Sequence, residues 1–377
     1  MAKADKEGQR KAPILRFKGF TDDWEQRKLS SLGKIIAGGD KDSKKLKQEG
    51  KYPVIANNLE NDGIIGYYEN DYKVDAPAIT ITARGNIGNA TARFVNFTPV
   101  VRLLVLKTNL NTKFIEQSIN NIKFFIESTG VPQLTVPQLS NYSIFVPNKS
   151  EQYKIGLMFN QLDSLIALYD RKLKLIKLIY KELENKVYNN DLIKQTSFTK
   201  VKLGEILKEE NIKSTYEDQY PVLSSTNSGI ELRNGRTNSS SNVGYKILSK
   251  NELVLSPQNL WLGNININFD FKNGLVSPSY KVFNLTNDIN IIYLNSLLHH
   301  PKMMYLYKVV SVQGASVVRR NLDIEAFENL TLKLPSIEVQ NKIGNLLDKN
   351  KKLIDNLKNK KEQISKIKTA LLNTMFI

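Results

Sequence analysis

Side chains that can grip a polyanion recur in short clusters along these 377 residues. Lys41, Lys44, Lys45 and Lys47 crowd one stretch, Asn57 and Asn58 follow the apolar Val54-Ile55, and Arg84, Asn86 and Arg93 surround Gly85 and Gly88. In the second half Ser224, Ser225, Thr226 and Asn227 take the matching place after Val222-Leu223. Arg233, Asn234, Arg236, Thr237 and Asn238 then form a loop almost without apolar content, Gln258, Asn259 and Trp261 follow another apolar run, and Arg319 and Arg320 stand side by side. Cations of this kind hold phosphate oxygens, while Arg, Lys, Asn, Gln, Ser and Thr meet base edges. Glycines beside them permit close approach of the backbone, and adjacent arginines can clamp a phosphate. Plainer readings stand beside these: the lysine run as a solvated loop, 233–238 as unordered chain, and Trp261 as a core residue.

Residues for covalent chemistry are scarce. The only histidines are His299 and His300, expected to face solvent at a helix end before Pro301, and there are no cysteines. That pair is too few for most triads or metal clusters, so neither catalytic residues nor a metal site is expected. Gly38-Gly39-Asp40-Lys41 and Gly85-Asn86-Ile87-Gly88 lack the spacing of a nucleotide-binding loop. Lysine and arginine number 54 against 37 acidic residues, a formal charge of +17, which suits a polyanionic partner or a lysine-rich solvated surface. Without the layout of a signal peptide or an apolar run of roughly 20 residues, no membrane partner is expected and the expected location is the cytoplasm. Residues 1–12 are small and charged and are expected to be a disordered lead-in.

The elements that must position these clusters are written twice. Leu32-Gly33-Lys34-Ile35-Ile36 is echoed by Leu203-Gly204-Glu205-Ile206-Leu207, and Tyr52-Pro53-Val54-Ile55 by Tyr220-Pro221-Val222-Leu223. The stretch from Leu134 to Gly156, with Gln152 and Ile155-Gly156, matches Leu322 to Gly344, with Gln340 and Ile343-Gly344. A frame kept twice around unlike interiors suggests two similar modules that read two different things. Ala78–Thr82 and Glu252–Leu255 read as strands, and short helices are expected at Lys113–Ser128 and Ile291–Lys308. Each module is thus a mixed α+β unit.

A long helix follows each module. In the first, Ile155, Phe159, Leu162, Ile166, Tyr169, Leu173, Ile176, Tyr180, Leu183 and Val187 alternate at spacings of four and three, as a coiled-coil seam requires. Asn148 or Ser150 is placed to cap it before Glu151. In the second, from about Ile337 to Asn373, the seam is Ile343, Leu346, Leu347, Leu353, Ile354, Leu357, Ile364, Ile367 and Leu371, interrupted by Asn350 and Lys361. A second apolar set on the first helix, Met158, Leu165, Leu168, Leu175, Leu178 and Ile179, implies covering by further protein surface.

Several stretches resemble one family. Ile14 to Phe20, Trp24-Glu25 and Leu29 to Gly33 resemble the opening of type I restriction-modification specificity subunits. Ser128 to Leu134, Phe145-Val146-Pro147 and Glu151-Gln152 resemble the close of their target recognition domains, and in the second half Asn273 to Tyr280 and Arg319 to Leu322 resemble the corresponding family segments. The second module lacks the opening tryptophan, and Glu338-Val339-Gln340 replaces the usual Glu-Gln pair. The resemblance implies recognition domains at 13–147 and 191–335 and long spacer helices at 148–190 and 336–377, pairing as an antiparallel coiled coil. It implies a non-catalytic DNA-recognition subunit that reads a split site in double-stranded DNA and docks two modification subunits and, in the full complex, restriction subunits. S-adenosylmethionine, ATP and Mg are then expected on those partners. Tandem modules on antiparallel helices suit the two-fold of duplex DNA. The alternatives are a non-enzymatic coiled-coil scaffold and a stand-alone DNA-binding regulator.

Overall fold

The computed structural model describes residues 12–125, 130–188, 198–233, 241–286, 288–313 and 320–377. The chain divides into two compact units, one of Met1–Arg171 with Asn359–Ile377, the other of Lys172–Lys358. Among the described residues no helix is long and apolar enough to cross a membrane.

In the first unit β1 (Glu25–Lys28), α1 (Leu29–Leu32) and β2 (Gly33–Ala37) lead to β3 (Tyr52–Ile55), β4 (Ile64–Tyr68), β5 (Ala78–Thr82), β6 (Ala90–Arg93), β7 (Thr98–Pro99) and β8 (Leu103–Thr108). Then come α2 (Thr112–Asn120), α3 (Val136–Asn141), β9 (Ser143–Val146) and the long helix α4 (Lys149–Tyr188), which belongs to this unit as far as Arg171. The main sheet is antiparallel in the order β2-β8-β5-β6. Ile79, Ile81, Leu104 and Leu106 pack on one face with Trp24 and Phe114, while Ala78, Leu103 and Val105 pack on the other with Ile55 and Phe97. Both faces of these strands are covered, so β8 opens on the apolar run Leu103-Leu104-Val105-Leu106 and β5 alternates isoleucine with buried, β-branched threonine. β3 lies between β4 and β7 in a second sheet, and β1 pairs antiparallel with β9, which joins the module's start to its finish.

The second unit repeats the plan. β10 (Thr199–Lys202), α5 (Leu203–Ile206), β11 (Leu207–Glu210), β12 (Leu223–Thr226), β13 (Gly229–Leu232), β14 (Lys246–Ser249), β15 (Leu253–Leu255), β16 (Ile265–Ile267), β17 (Asn273–Val276) and β18 (Lys281–Leu285) precede α6 (Ile291–Leu298). α7 (Pro301–Val309), β19 (Ser311–Gln313), β20 (Arg320–Leu322), α8 (Ile324–Glu328), β21 (Thr331–Leu334) and the long α9 (Ile337–Met375) follow, α9 belonging to this unit as far as Lys358. The main sheet runs β11-β18-β15-β16, strand for strand the order of the first, and β10 pairs with β21 as β1 does with β9. Leu253, Leu255 and Phe283 face one core, Val254 and Val282 the other.

Two helices differ from expectation. The first ends at Asn120 rather than Ser128, and residues 126–129 lie outside the described ones. The stretch 291–308 is two helices, because the Pro301 nitrogen cannot donate within a helix interior and serves instead as the first position of α7. There His300 caps α7 by accepting from the Lys302 amide (3.3 Å) and His299 Nδ1 bonds Asn295 O (2.8 Å). His300 is buried and His299 half-buried, so neither faces solvent as expected.

The repeated close of each module has a structural cause. Gln152 Nε2 donates to Pro147 O (2.8 Å) and its Oε1 accepts from the Asn111 amide (3.3 Å). Gln340 does the same with Pro335 O (2.9 Å) and the Asn290 amide (3.1 Å). Asn111 and Asn290 are the caps of α2 and α6. One turn on, Gly156 and Gly344 lie so close to those caps that an added methyl would overlap Asn111 Oδ1 or Asn290 Oδ1. Glutamine and glycine at this spacing thus clasp each long helix to the short helix of its module.

Asn148 caps α4, accepting from the Glu151 amide (3.0 Å). In the first unit α4 and α9 run antiparallel: Asp163 meets Lys368 (2.6 Å), and Asp170, one heptad on, meets Lys361 (2.6 Å), one heptad back. Lys361, read as a seam interruption, is answered by that carboxylate. Ile155, Phe159 and Leu162 pack in one core with Leu371, Met375 and Phe376. In the second unit Tyr180 and Leu183 pack in one core with Ile343 and Leu347. Leu173 and Ile354 are buried, and Ile166, Tyr169, Ile176, Leu357 and Ile364 half-buried, so these seam positions are all turned inward. The Val187 side chain lies outside the described ones. Leu346, Leu353 and Ile367 do not join the seam, being 46%, 43% and 53% exposed: each sits one position before or three positions after a true seam residue. Of the second apolar set on α4, Met158 packs on the first core, while Leu165, Leu168, Leu175, Leu178 and Ile179 are exposed.

Candidate nucleic-acid interface

A cleft of about 780 Å3 opens in the first module between the loop after β2, the end of β3 and the turn after β5. Lys41, Asn57, Arg84, Gly85, Arg102 and Val131 line it. It therefore joins three residues singled out in the sequence, Lys41, Asn57 and Arg84, with one that was missed. The missed residue is Arg102, at the turn closed by the Leu103 amide on Val100 O (3.2 Å), where its φ of 70° is a conformation usually left to glycine. Its signal in the sequence is a lone cation interrupting the apolar run from Pro99 to Leu106. Among the described residues the side chains of Lys41, Arg84 and Arg102 have no ion pair or hydrogen bond to protein. Three unpaired cations against the single acid Asp40 give the cleft a net positive lining, the charge that an anion would need.

Asn57 has a different role. Its Nδ2 donates to Arg84 O (2.9 Å), and its Oδ1 accepts from the amides of Ala83 (2.6 Å) and Arg84 (3.3 Å). Three of its four hydrogen-bonding sites are thereby committed to backbone. The amide straps the end of β3 to the extension of β5 and holds the chain under Arg84 still. Asn58 is exposed and its Oδ1 accepts from the Glu60 amide (3.2 Å).

Other clustered residues are placed apart from the cleft lining or tied into the fold. Lys44 is exposed, Lys45 pairs with Asp71 (3.4 Å), and Lys47 is bridged by backbone to Tyr67. Asn86 is exposed, and its carbonyl accepts from Thr82 Oγ1 (2.5 Å). Arg93 bonds Asp62 Oδ2 (2.5 Å) and Thr80 Oγ1 (3.0 Å). Burial pushes its guanidinium below the ordinary arginine range, against the pull of Asp62.

In the second module Ser225, at the place of Asn57, is buried. Its Oγ donates to Asn264 Oδ1 (2.5 Å) and accepts from Asn266 Nδ2 (2.8 Å). The strap recurs with its partners reversed, the asparagines now on the hairpin, and this network was not anticipated. Thr226 bonds Gly229 O (3.1 Å), Ser224 is half-buried, and Asn227 and Arg233 are exposed. Gln258 is exposed beside half-buried Asn259 and Trp261. Arg320 is turned inward, bonding Ser311 O (2.6 Å), Ser311 Oγ (3.0 Å) and Lys308 O (3.3 Å). It holds the end of α7, and its Nε and Nη2 are thereby committed to the protein. Arg319, Asn234, Arg236, Thr237 and Asn238 lie outside the described residues.

A buried anchor supports the first module. Glu151, only 1% exposed at its side chain, accepts from Arg16 Nη2 (2.7 Å) and Nε (2.9 Å) and from Trp24 Nε1 (3.2 Å). The Glu-Gln pair thus divides its work, Glu151 fastening the chain before β1 and Gln152 fastening α2.

Residues 21–178 match the family model described as the type I restriction modification DNA specificity domain. A Mycoplasma pneumoniae protein described as a type I specificity subunit is 30% identical over 163 residues, which are 42% of this chain and 43% of that protein. The match thus spans under half the length of that relative. A second M. pneumoniae protein, described as the C-terminus of a type I specificity subunit, is 31% identical over 102 residues, 26% of this chain and 70% of that protein. The crystal structure of a type I restriction-modification S subunit from M. genitalium superposes with a TM-score of 0.69 at 15% identity, covering 97% of this chain and 99% of that one. This last likeness is one of fold.

Proposed function

Since the chain belongs to the family of type I restriction-modification specificity subunits, we propose that it is the DNA-recognition subunit of such an enzyme, without catalysis of its own. Each module reads one half of a split site in double-stranded DNA. The observation that carries this is one sheet order and one glutamine clasp built twice, around polar surfaces that differ. A frame held constant while the exposed residues change is suited to reading two sequences in one geometry. Lys41 and Arg102, unpaired at the rim of the first cleft, supply the sequence-independent grip. Two modification subunits, and restriction subunits in the full complex, supply S-adenosylmethionine, ATP and Mg chemistry. The exposed leucines of α4 favour a role in assembly, since an apolar stripe of that length is ordinarily covered.

The test is methylome sequencing of a host with and without this chain, followed by exchange of residues 30–135 for those of a relative. One bipartite motif depends on the chain, and the exchange alters one half-site. A change in both halves, or in neither, rejects modular reading.

A further inference from the structure

The hairpins β5-β6 and β15-β16 close alike: the Thr82 amide donates to Asn89 O (3.0 Å) and the Ser256 amide to Asn264 O (3.0 Å). Two residues beyond each closure stand Arg84 and Gln258. Both positions are tied to the closing segment of their own module. Around Arg84, the Leu134 amide donates to Ala83 O (2.8 Å) and the Gly85 amide to Pro132 O (2.9 Å). In the second module the Arg320 amide donates to Gln258 O (3.1 Å). The two residues are therefore equivalents in two copies of one frame, yet one carries a guanidinium and the other a carboxamide.

Resting on the DNA-reading function proposed above, we infer that Arg84 and Gln258 are the base readers of their modules, Arg84 taking a guanine in one half-site and Gln258 an adenine in the other. A guanidinium presents two parallel donors that match O6 and N7 of guanine, and a carboxamide presents the donor and acceptor that match N7 and N6 of adenine. Discrimination requires a side chain that projects from fixed backbone and has no competing partner. Arg84 meets both conditions, its backbone being held by Asn57 and by an isolated antiparallel bridge to Gln133. The space beside it is open, since a Cβ placed on Gly85 meets nothing within 4 Å. Gln258 is exposed, with its carbonyl held and its carboxamide without a partner among the described residues. Asn57 is a positioning residue that acts through Arg84. The exposed Arg102 and Lys41 at the rim of the cleft hold phosphates.

The full chain, in the complex that co-purifies from its host, is offered duplexes carrying every single-base change in the wild-type site, and bound DNA is sequenced. Arg84→Ala lowers discrimination roughly 5- to 150-fold at one G·C pair of one half-site. Gln258→Ala does so at one A·T pair of the other. Arg84→Lys keeps affinity but relaxes the same G·C pair, and it decides the matter if the alanine variant does not melt as a folded protein. Asn57→Ala relaxes that pair as well, whereas Arg102→Ala weakens all sequences alike and lowers the salt dependence by about one phosphate contact. Unchanged discrimination in the Arg84 variants, or a uniform loss across all sequences, overturns the inference while leaving the parent reading in place. A wild-type complex without sequence preference overturns both.

Discussion

The side chain of Phe376 offers a direct measurement of how residues 359–377 complete the first unit. Its ring lies 5.6 Å from Phe114, 5.7 Å from Phe159 and 6.3 Å from Trp24, and it is 8% exposed. Removing a buried phenyl ring of this kind costs about 3–5 kcal/mol, whereas Ile377→Ala at a 44% exposed neighbour should cost under about 0.5 kcal/mol. The chain has two tryptophans, one in each unit, so a Trp261→Phe background leaves Trp24 as the only indole, set within the cluster that Phe376 closes. With a urea m-value of about 2–3 kcal/mol/M, Phe376→Ala should move the Trp24 transition down by about 1–2.5 M. Amide exchange in β15 and β18, which belong to the other unit, should not change. A shift no larger than that of Ile377→Ala, or equal loss of protection in β15, refutes the assignment of this segment to the first core.

Three further outcomes are expected. Gly156→Ala places a methyl against the cap of α2 and should destabilise the first unit by about 1–3 kcal/mol, as an overpacked site does; Gly344→Ala should do the same to the second unit, both read by urea unfolding. Burial, helped by Lys351, holds His299 below the ordinary histidine pKa, so the unfolded chain takes up the proton first. Stability of the second unit is therefore complete above about pH 6.5 and falls as the pH drops through the lower folded value, and His299→Gln should flatten that slope in a series of unfolding curves. Glu151→Ala leaves Arg16 and the Trp24 indole without their buried acceptor and should cost about 3–5 kcal/mol in the first unit, measured by the Trp24 transition.

Local patterns in the sequence proved most informative where one physical cause dominates. β5 reads as Ala78–Thr82 in the sequence and is a strand over those residues, because a doubly covered strand is selected for apolar and β-branched side chains alone. The inner side of α4 follows from the spacing of Ile155 to Leu183, since one partner helix imposes one periodicity. α9 was harder to read, because Leu346, Leu353 and Ile367 are apolar without being covered. The break between α6 and α7 hid inside a continuous apolar stretch, proline being acceptable at the first position of a helix. Polar clusters were the least legible. Asn57, Ser225, Arg93 and Arg320 carry the same side chains whether they meet a ligand or the protein, and each finds protein partners 9 to 41 residues away in sequence. Only the fold decides which polar residues remain free, and among the described residues it leaves Lys41, Arg84, Arg102 and Gln258 in that group.

The location of Phe376 also has a temporal consequence. Trp24, Phe114 and Phe159 leave the ribosome long before the ring that covers them, 376 − 159 = 217 residues after Phe159. At ~5–20 residues per second, that interval is roughly 10–40 s. The globule translated first is thus the one finished last, and throughout that wait its aromatic cluster stays open to chaperones or to aggregation.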